Sequence, residues 1–139
     1  ESLDKPKLRT YNLFKQDFGA EKYVLLNLER DERSYLAQLR CGNLPLRIET
    51  GRYTNENIND RICLLCNSGS IENEMHFLYH CTLYMNTRQL FYDRIVNENY
   101  ELPHLTDRAK TVYLFENKPR QIAKYVKMLM SIRKSTLFK

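Results

Sequence analysis

The 139-residue sequence contains no tryptophan and only four glycines and four prolines. Glycine and proline are the residues that most often interrupt regular structure, so their scarcity favours long helices. No stretch alternates apolar and polar residues for long enough to predict a sheet. The sequence therefore predicts an all-α fold, and its 42% apolar residues suffice for the core of one small domain.

Long apolar runs are also missing. No run approaches the roughly 18 residues of a transmembrane helix, because Lys, Arg or Asn interrupts the longest apolar clusters. No apolar segment of the kind found in signal peptides precedes the cysteines. We therefore expect a soluble, intracellular protein, nuclear or cytoplasmic, with reduced cysteines and no membrane partner.

Three of the four cysteines lie with a histidine in one short segment, RICLLCNSGSIENEMHFLYHC. Cys63, Cys66, His76 and Cys81 follow the spacing C-x2-C-x9-H-x4-C. Three thiolates and one imidazole are a ligand set of tetrahedral structural zinc. We predict that these four residues bind Zn²⁺, the first two from a loop, His76 from a short helix and Cys81 from the end of that helix.

Disulfides or free buried thiols are the alternatives to a zinc site, and His80 is the alternative to Cys81 as a ligand. His76 and His80 lie four residues apart on the predicted helix, so both could face one ion. We favour Cys81, because a third cysteine would otherwise lie idle beside the site and thiolate binds zinc well. Cys41 is predicted to be a buried thiol rather than a ligand.

The sequence carries no pattern of a catalytic zinc. It contains neither H-E-x-x-H nor the H-x-E followed by P-C-x-x-C of zinc deaminases. Four good ligands also close the coordination shell and leave no position for a bound water. We therefore expect a structural metal, no enzymatic activity and no small-molecule substrate.

The predicted organisation is a single zinc-stabilised helical domain over residues 1–139. It comprises N-terminal helices in residues 1–40, a loop and zinc module in residues 41–82, and basic helices in residues 83–139. The loop between Cys41 and Ile62 is long and irregular, and we expect the zinc to order it. The predicted helices are Lys7–Phe18, Glu21–Leu28, Asp31–Arg40, Glu72–His80, Leu83–Glu98, Asp107–Phe115 and Pro119–Lys134.

The segments LAQLRCGNLPLRIETGRY, RICLLC and IENEMHFLYHC together resemble the zinc-binding region downstream of the polymerase domain in reverse transcriptases of non-LTR retrotransposons. The resemblance covers Leu36 to about Phe91. It rests on the basic L-R-x-G-x-L-P-L segment and on Glu72, His76 and Cys81, which match E-x3-H-x4-C. It implies a module that helps a polymerase hold template RNA or target DNA.

The resemblance does not imply polymerase activity in this chain. A polymerase site would need a pair of adjacent aspartates, and every aspartate in the sequence stands alone. The first residue is Glu1 rather than Met, which suggests a domain excised from a polyprotein. An independent protein derived from a mobile element is the alternative.

Positive charge is concentrated towards the end of the chain, with a net charge of +1 over residues 1–40, −3 over 41–102 and +7 over 103–139. On the last predicted helix the cations share one stripe and the apolar residues the other, so the helix can pack and still present charge. Arginines near the L-R-C-G-N-L-P-L segment could assist, or could instead pair with Glu49 or brace the loop. The predicted phosphate contacts are Arg120, Lys124, Lys127, Arg40, Arg47 and Arg52.

Two functions are consistent with this pattern. We favour a nucleic-acid-binding module with weak sequence preference for RNA or DNA, in which Tyr53 and Tyr100 are candidates for base stacking. The alternative is a zinc-stabilised protein interaction domain that docks on a reverse transcriptase body or another acidic partner.

Overall fold

The structure, a computed structural model, describes residues 28–95 and 102–138. Its helices are α1 (Arg30–Cys41), α2 (Arg47–Thr50), a π-helix (His76–His80), α3 (Met85–Ile95), α4 (Asp107–Asn117) and α5 (Pro119–Leu137), with single 3₁₀ turns at Ile58–Asp60, Thr82–Tyr84 and Leu102–His104. Among the described residues there is no sheet, only an isolated antiparallel bridge between Ile62 and Ile71. The prediction of an all-α fold is confirmed.

The C-terminal helix α5 is the central element, and it packs against α1, α3 and α4. It begins at Pro119, whose fixed φ and missing N–H suit the first helical turn. Its apolar stripe is inaccessible to solvent at Ile122, Val126 and Leu129, as predicted. Burying each such side chain contributes about 1.5–3 kcal/mol. None of the described helices is both long enough and apolar enough to cross a membrane.

Helix α1 is closed at both ends by local hydrogen bonds. At its start Glu29 and Glu32 form a capping box, in which each side chain accepts a hydrogen bond from the other residue's backbone N–H. At its end Gly42 has φ 72°, a left-handed conformation that favours glycine, and Asn43 N–H donates back to Gln38 O at 2.8 Å. Leu36 and Leu39 then face the core.

Three predicted helices, Asp31–Arg40, Asp107–Phe115 and Pro119–Lys134, agree with α1, α4 and α5 to within three residues at each end. The predicted helix Leu83–Glu98 corresponds to α3, although residues 82–84 form a 3₁₀ turn and residues 96–98 lie outside the described part. The predictions Lys7–Phe18 and Glu21–Leu28 also fall outside it, apart from Leu28, which is not helical.

The connection between Cys41 and Ile62 is less irregular than predicted, because it contains α2 and a 3₁₀ turn. Its hydrogen bonds converge on the buried guanidinium of Arg61, which donates to Ile48 O at 2.9 Å and to Glu56 O at 3.1 and 2.9 Å. Gly51 leaves room for this side chain, since a Cβ there would lie 2.5 Å from Arg61 Cγ. Arg61 therefore supplies internal order that the sequence analysis attributes to the metal.

Candidate metal centre

The four predicted ligands lie together. One ligand atom from each of Cys63, Cys66, His76 and Cys81 lies within 4.8 Å of the other three. Cys63 Sγ is 3.8 Å from Cys81 Sγ, and Cys66 Sγ is 3.4 Å from His76 Nε2. With Zn–S about 2.3 Å and Zn–N about 2.0–2.1 Å, a tetrahedral site has an S–S edge of about 3.8 Å and an S–N edge of about 3.5–3.6 Å. These two separations match the edges of a tetrahedral site, and the four residues could hold a metal ion.

Cys63 and Cys66 are presented by a reversal of the chain between residues 61 and 72. Cys63 N–H donates to Ser70 O at 2.8 Å, and Glu72 N–H donates to Arg61 O at 3.0 Å, so the two arms of the reversal are paired. The turn between them passes through Gly69, whose φ of 74° is in the left-handed region. This is the cysteine-bearing loop that the sequence predicts.

The other two ligands are placed by the π-helix. Cys81 N–H donates to His76 O at 2.8 Å, a hydrogen bond over five residues. On an α-helix, residues five apart point about 140° away from each other, whereas a turn closed over five residues places them nearly one above the other. The wide turn therefore brings Cys81 back to His76. Asn73 fixes the start of this segment, because its side chain accepts from His76 N–H at 2.9 Å.

His80 lies outside the cluster. Its side chain is 57% exposed, and its Nε2 lies 2.7 Å from Asp107 Oδ2 at the start of α4. Cys41, at the end of α1, is half-buried and is not part of the cluster either. All four cysteines are free, and Cys63 Sγ and Cys81 Sγ are much farther apart than the about 2.05 Å of a disulfide. The cluster contains Cys81, as predicted, and not His80.

Hydrogen bonding shifts the pKa values of the two buried thiols, Cys63 and Cys81, in opposite directions. The thiols of Cys63 and Cys81 are hydrogen-bonded to each other, and Leu65 N–H donates to the Cys63 sulfur at 3.4 Å. These contacts lower the pKa of Cys63 to about 5, while the hydrogen bond to Cys63, together with burial, raises the pKa of Cys81. Binding of a metal ion requires thiolates, so it would release the protons that these thiols carry.

Behind the cluster, Glu72 links three parts of the chain. Its carboxylate accepts two hydrogen bonds from Arg133 on α5, at 2.9 and 2.8 Å, and one from the backbone N–H of Arg47 at 2.8 Å. Its backbone carbonyl accepts from Ile48 N–H at 3.1 Å. The prediction that Glu72 lies in the first turn of a helix is wrong, because residues 72 and 73 precede the helical segment.

Arg88 on α3 holds the other end of the ligand segment. Its guanidinium donates to the carbonyls of Leu78 and Cys81, both at 3.0 Å, and to that of Phe77 at 3.4 Å. Tyr125 on α5 donates to the same Leu78 carbonyl. The carbonyls left open at the end of the π-helix are therefore satisfied by α3 and α5.

Sequence reasoning missed both of these arginines. Arg88 and Arg133 are buried, and each lies on the apolar side of its helix: Arg88 three residues before Phe91, and Arg133 four residues after Leu129. A charge at a core position of an amphipathic helix is the signal that could have identified them, because it requires a buried partner.

The three arginines predicted near the L-R-C-G-N-L-P-L segment have other contacts. Arg40 is buried on α1. Arg47 forms an ion pair with Glu56 at 2.6 Å, and Arg52 pairs with Glu49 at 2.7 Å. The structure thus gives Arg47 and Arg52 the bracing contacts that the sequence analysis names as their alternative.

The three predicted phosphate contacts on α5 differ in exposure. Arg120 and Lys124 are exposed, one turn apart. Lys127 is held by Asp31 at 2.8 Å and by Glu29 at 3.4 Å. Of the two candidate stacking residues, Tyr53 is 72% exposed, and Tyr100 lies outside the described residues.

Comparisons of this chain with protein-family models, with curated proteins and with solved structures found no match. What the structure establishes is a cluster of three cysteines and one histidine that could hold a metal ion. The interpretation of function therefore rests on this cluster and on the surface around it.

Proposed function

We propose that the chain is a structural-zinc module that binds nucleic acid, similar to the accessory region downstream of the polymerase domain in non-LTR retrotransposon reverse transcriptases. The observation that carries the proposal is the cluster of Cys63, Cys66, His76 and Cys81, in which the S–S and S–N separations of 3.8 and 3.4 Å match tetrahedral zinc. Three thiolates with one imidazole favour zinc over the hard cations, which prefer oxygen ligands.

The proposed zinc is structural rather than catalytic. Protein side chains fill all four positions, and Cys63, His76 and Cys81 are buried, so no position is left for a water or a substrate. The ion would join the cysteine loop to the π-helix, since each of these two segments supplies two of the four side chains. Structural zinc contributes about 10–16 kcal/mol in zinc-finger peptides.

The metal module in turn supports the basic helix. Glu72 binds Arg133, and the Leu78 carbonyl binds Tyr125, so α5 is attached to both ends of the ligand segment. The first half of α5 presents Arg120 and Lys124 to solvent, in a region with a net charge of +7. Such cations neutralise phosphates without reading bases, which is why we propose weak sequence preference.

Salt-titrated binding tests this proposal. Fluorescence anisotropy with labelled single-stranded RNA, single-stranded DNA and duplex DNA should give affinities that fall linearly with salt on a log–log scale. Replacing both Arg120 and Lys124 with Ala should reduce that slope by about 1.4 on single strands or 1.8 on duplex. Lys127→Ala should have a smaller effect, because Lys127 is already paired with Asp31.

The matched control removes the same charge elsewhere. Arg30 and Arg33 are exposed on α1, in the part of the chain that is nearly neutral overall. The double Ala variant of this pair should keep the wild-type slope within about 0.5, well below the loss expected for two phosphate contacts. Equal losses in both double variants, or no binding to any of the three nucleic acids, would contradict the proposal.

A further inference from the structure

A groove runs between α3 and α5 on the side of the molecule that carries Leu90 and Met128. These two side chains line it and are 57% and 45% exposed. Its floor is the stacked pair Phe91 and Tyr125, whose rings lie 4.2 Å apart at an angle of 10°. The groove encloses a cavity of about 80 Å³. Large apolar side chains exposed on both walls of one groove are a feature of binding surfaces.

Among the described residues that line the groove, the charged ones are all positive. They are Arg94 of α3 and Lys124 of α5, and none of the described lining residues is acidic. Within the described residues neither cation forms an ion pair, in contrast to Lys127 on the neighbouring side of α5. Complementary potentials favour a negatively charged occupant.

We infer that this groove binds an acidic amphipathic helix of a partner protein. Two packed helices with an apolar seam between them accept a third helix, whose leucine-like side chains enter the groove at helical spacing. Met128 supplies a flexible, polarizable wall that adapts to different apolar side chains. The acidic residues of the partner helix then lie against Arg94 and Lys124. This inference is independent of the proposed nucleic-acid function, although Lys124 takes part in both.

The chemistry of the floor favours a helix over a nucleic acid. Bases stack on exposed aromatic faces. Phe91 and Tyr125 are buried and use their faces on each other, and the Tyr125 hydroxyl is bound to the Leu78 carbonyl and to Arg88. The exposed apolar surface of the groove is aliphatic, since it belongs to Leu90 and Met128, and aliphatic surface is what a helix with leucine-like anchors buries.

Two synthetic peptides test the inference on the full zinc-loaded chain. One is a fluorescein-labelled helix with leucines at i, i+3, i+4 and i+7 and glutamates at the remaining positions; the other carries lysines in place of the glutamates. Anisotropy should show saturable binding of the acidic peptide and at least tenfold weaker binding of the basic one. The double variant Leu90→Ser and Met128→Ser should weaken binding of the acidic peptide at least tenfold, and Arg94→Glu should also weaken it.

The matched control is Leu64→Ser, which removes a 66% exposed leucine from the cysteine loop and should leave peptide binding unchanged. Equal binding of both peptides, or an unchanged affinity in the double variant, would overturn the inference. A double variant that loses nucleic-acid binding instead would assign the groove to nucleic acid. A wild-type dimer that the double variant converts to monomer in sedimentation would assign it to a second copy of the chain. Retained nucleic-acid binding with lost peptide binding is the expected result, and it separates this inference from the proposed function.

Discussion

Arg133 on α5 forms a buried two-point ion pair with Glu72, four residues ahead of the candidate ligand His76, with N–O distances of 2.9 and 2.8 Å. Both side chains are almost fully buried, at 9% and 1% exposure. Glu72 also accepts the backbone N–H of Arg47, so one carboxylate holds the loop, the ligand segment and the basic helix in register. The geometry of the metal cluster and the position of α5 are therefore linked.

Replacing Glu72 with Gln should destabilise the protein strongly. The guanidinium of Arg133 would stay buried without a counter-charge, which typically costs about 3–5 kcal/mol. Urea denaturation of the zinc-loaded protein measures this as a lower midpoint. In the double variant Glu72→Gln and Arg133→Met no lone charge remains, so part of the loss should be recovered.

The control for this pair is Asp31→Asn, which breaks the exposed contact with Lys127. Exposed ion pairs contribute little, because water and salt screen them. We expect its urea midpoint to match that of the wild type. Equal midpoints for Glu72→Gln and Asp31→Asn would show that the buried pair does not hold the two parts together.

The two histidines of the π-helix should differ in metal binding. His76→Ala removes a ligand, and we expect affinity for Co²⁺ to fall by more than about 100-fold, the upper end of losses seen when only a supporting residue is removed. His80→Ala should leave affinity unchanged, because His80 is exposed and contacts Asp107. The visible absorption of bound Co²⁺ reports both the affinity and the tetrahedral geometry. Loss of the signal in His80→Ala would contradict the assignment of Cys81 as a ligand.

Two buried tyrosines should respond in opposite ways to loss of the hydroxyl. Within the described residues the Tyr84 hydroxyl has no hydrogen-bond partner, so Tyr84→Phe should stabilise the protein by about 1 kcal/mol. The Tyr125 hydroxyl is bound to the Leu78 carbonyl and to Arg88, so Tyr125→Phe should destabilise it by about 1–3 kcal/mol. Thermal unfolding of both variants measures the difference. Two shifts of the same sign would refute this account.

Stability should fall at alkaline pH. Burial raises the pKa of Tyr92 and Tyr125 to about 12 and also raises the pKa values of Tyr79 and Tyr84. Between about pH 10 and 12 the unfolded tyrosines lose protons that the folded ones keep, so each fully shifted group lowers the free energy of unfolding by up to about 1.4 kcal/mol per pH unit.

A buried lysine has the opposite effect over a lower range. Burial lowers the pKa of Lys110, so the unfolded chain binds more protons there, and stability rises with pH until the unfolded lysine also loses its proton, above its ordinary pKa of about 10.4. Unfolding followed by circular dichroism at a series of pH values should therefore show the decline above about pH 10.5. Tyrosine ionisation that is complete before any loss of helicity would contradict the prediction.

The clustering of the four candidate ligands and the buried face of α5 could be predicted from the sequence, because each depends on local spacing. Cys63 and Cys66 at a two-residue interval define half of a site by themselves. The apolar stripe of α5 predicts its buried face in the same way, and Ile122, Val126 and Leu129 are buried as expected. In both cases residues within a few turns of one another carry the whole signal.

Whether His80 or Cys81 joins the cluster depends on the type of helical turn after His76, which contacts with other helices determine. An α-helical turn after His76 would have brought His80 to its face, and the observed five-residue turn brings Cys81 instead. That turn is secured by Arg88 and Tyr125, which bind the carbonyls at its end from α3 and α5. Helical periodicity within the segment cannot reveal it, because the stabilising contacts come from two other helices, α3 and α5.

The ion-pair partners of the arginines could not be predicted from local sequence either. Arg133 lies 61 residues from Glu72, and no local sequence pattern around either residue indicates that the two form an ion pair. Arg47 and Arg52 carry the charge that a phosphate contact needs, yet each forms an ion pair within the protein. Their partners Glu56 and Glu49 lie nine and three residues away. Charge counts do not distinguish a solvent-facing cation from a paired one, whereas the folded structure does.

The most direct test of the central claim is the zinc content of the purified chain, measured by plasma mass spectrometry before and after chelation, with helicity followed in parallel. We expect one zinc per chain in the wild type and in Cys41→Ser, whose thiol lies outside the cluster. We expect loss of zinc in Cys63→Ser, and loss of helicity in that variant and in the chelated wild type. A well-folded wild type without zinc, or a Cys63→Ser variant that keeps both its zinc and its helicity, would contradict it.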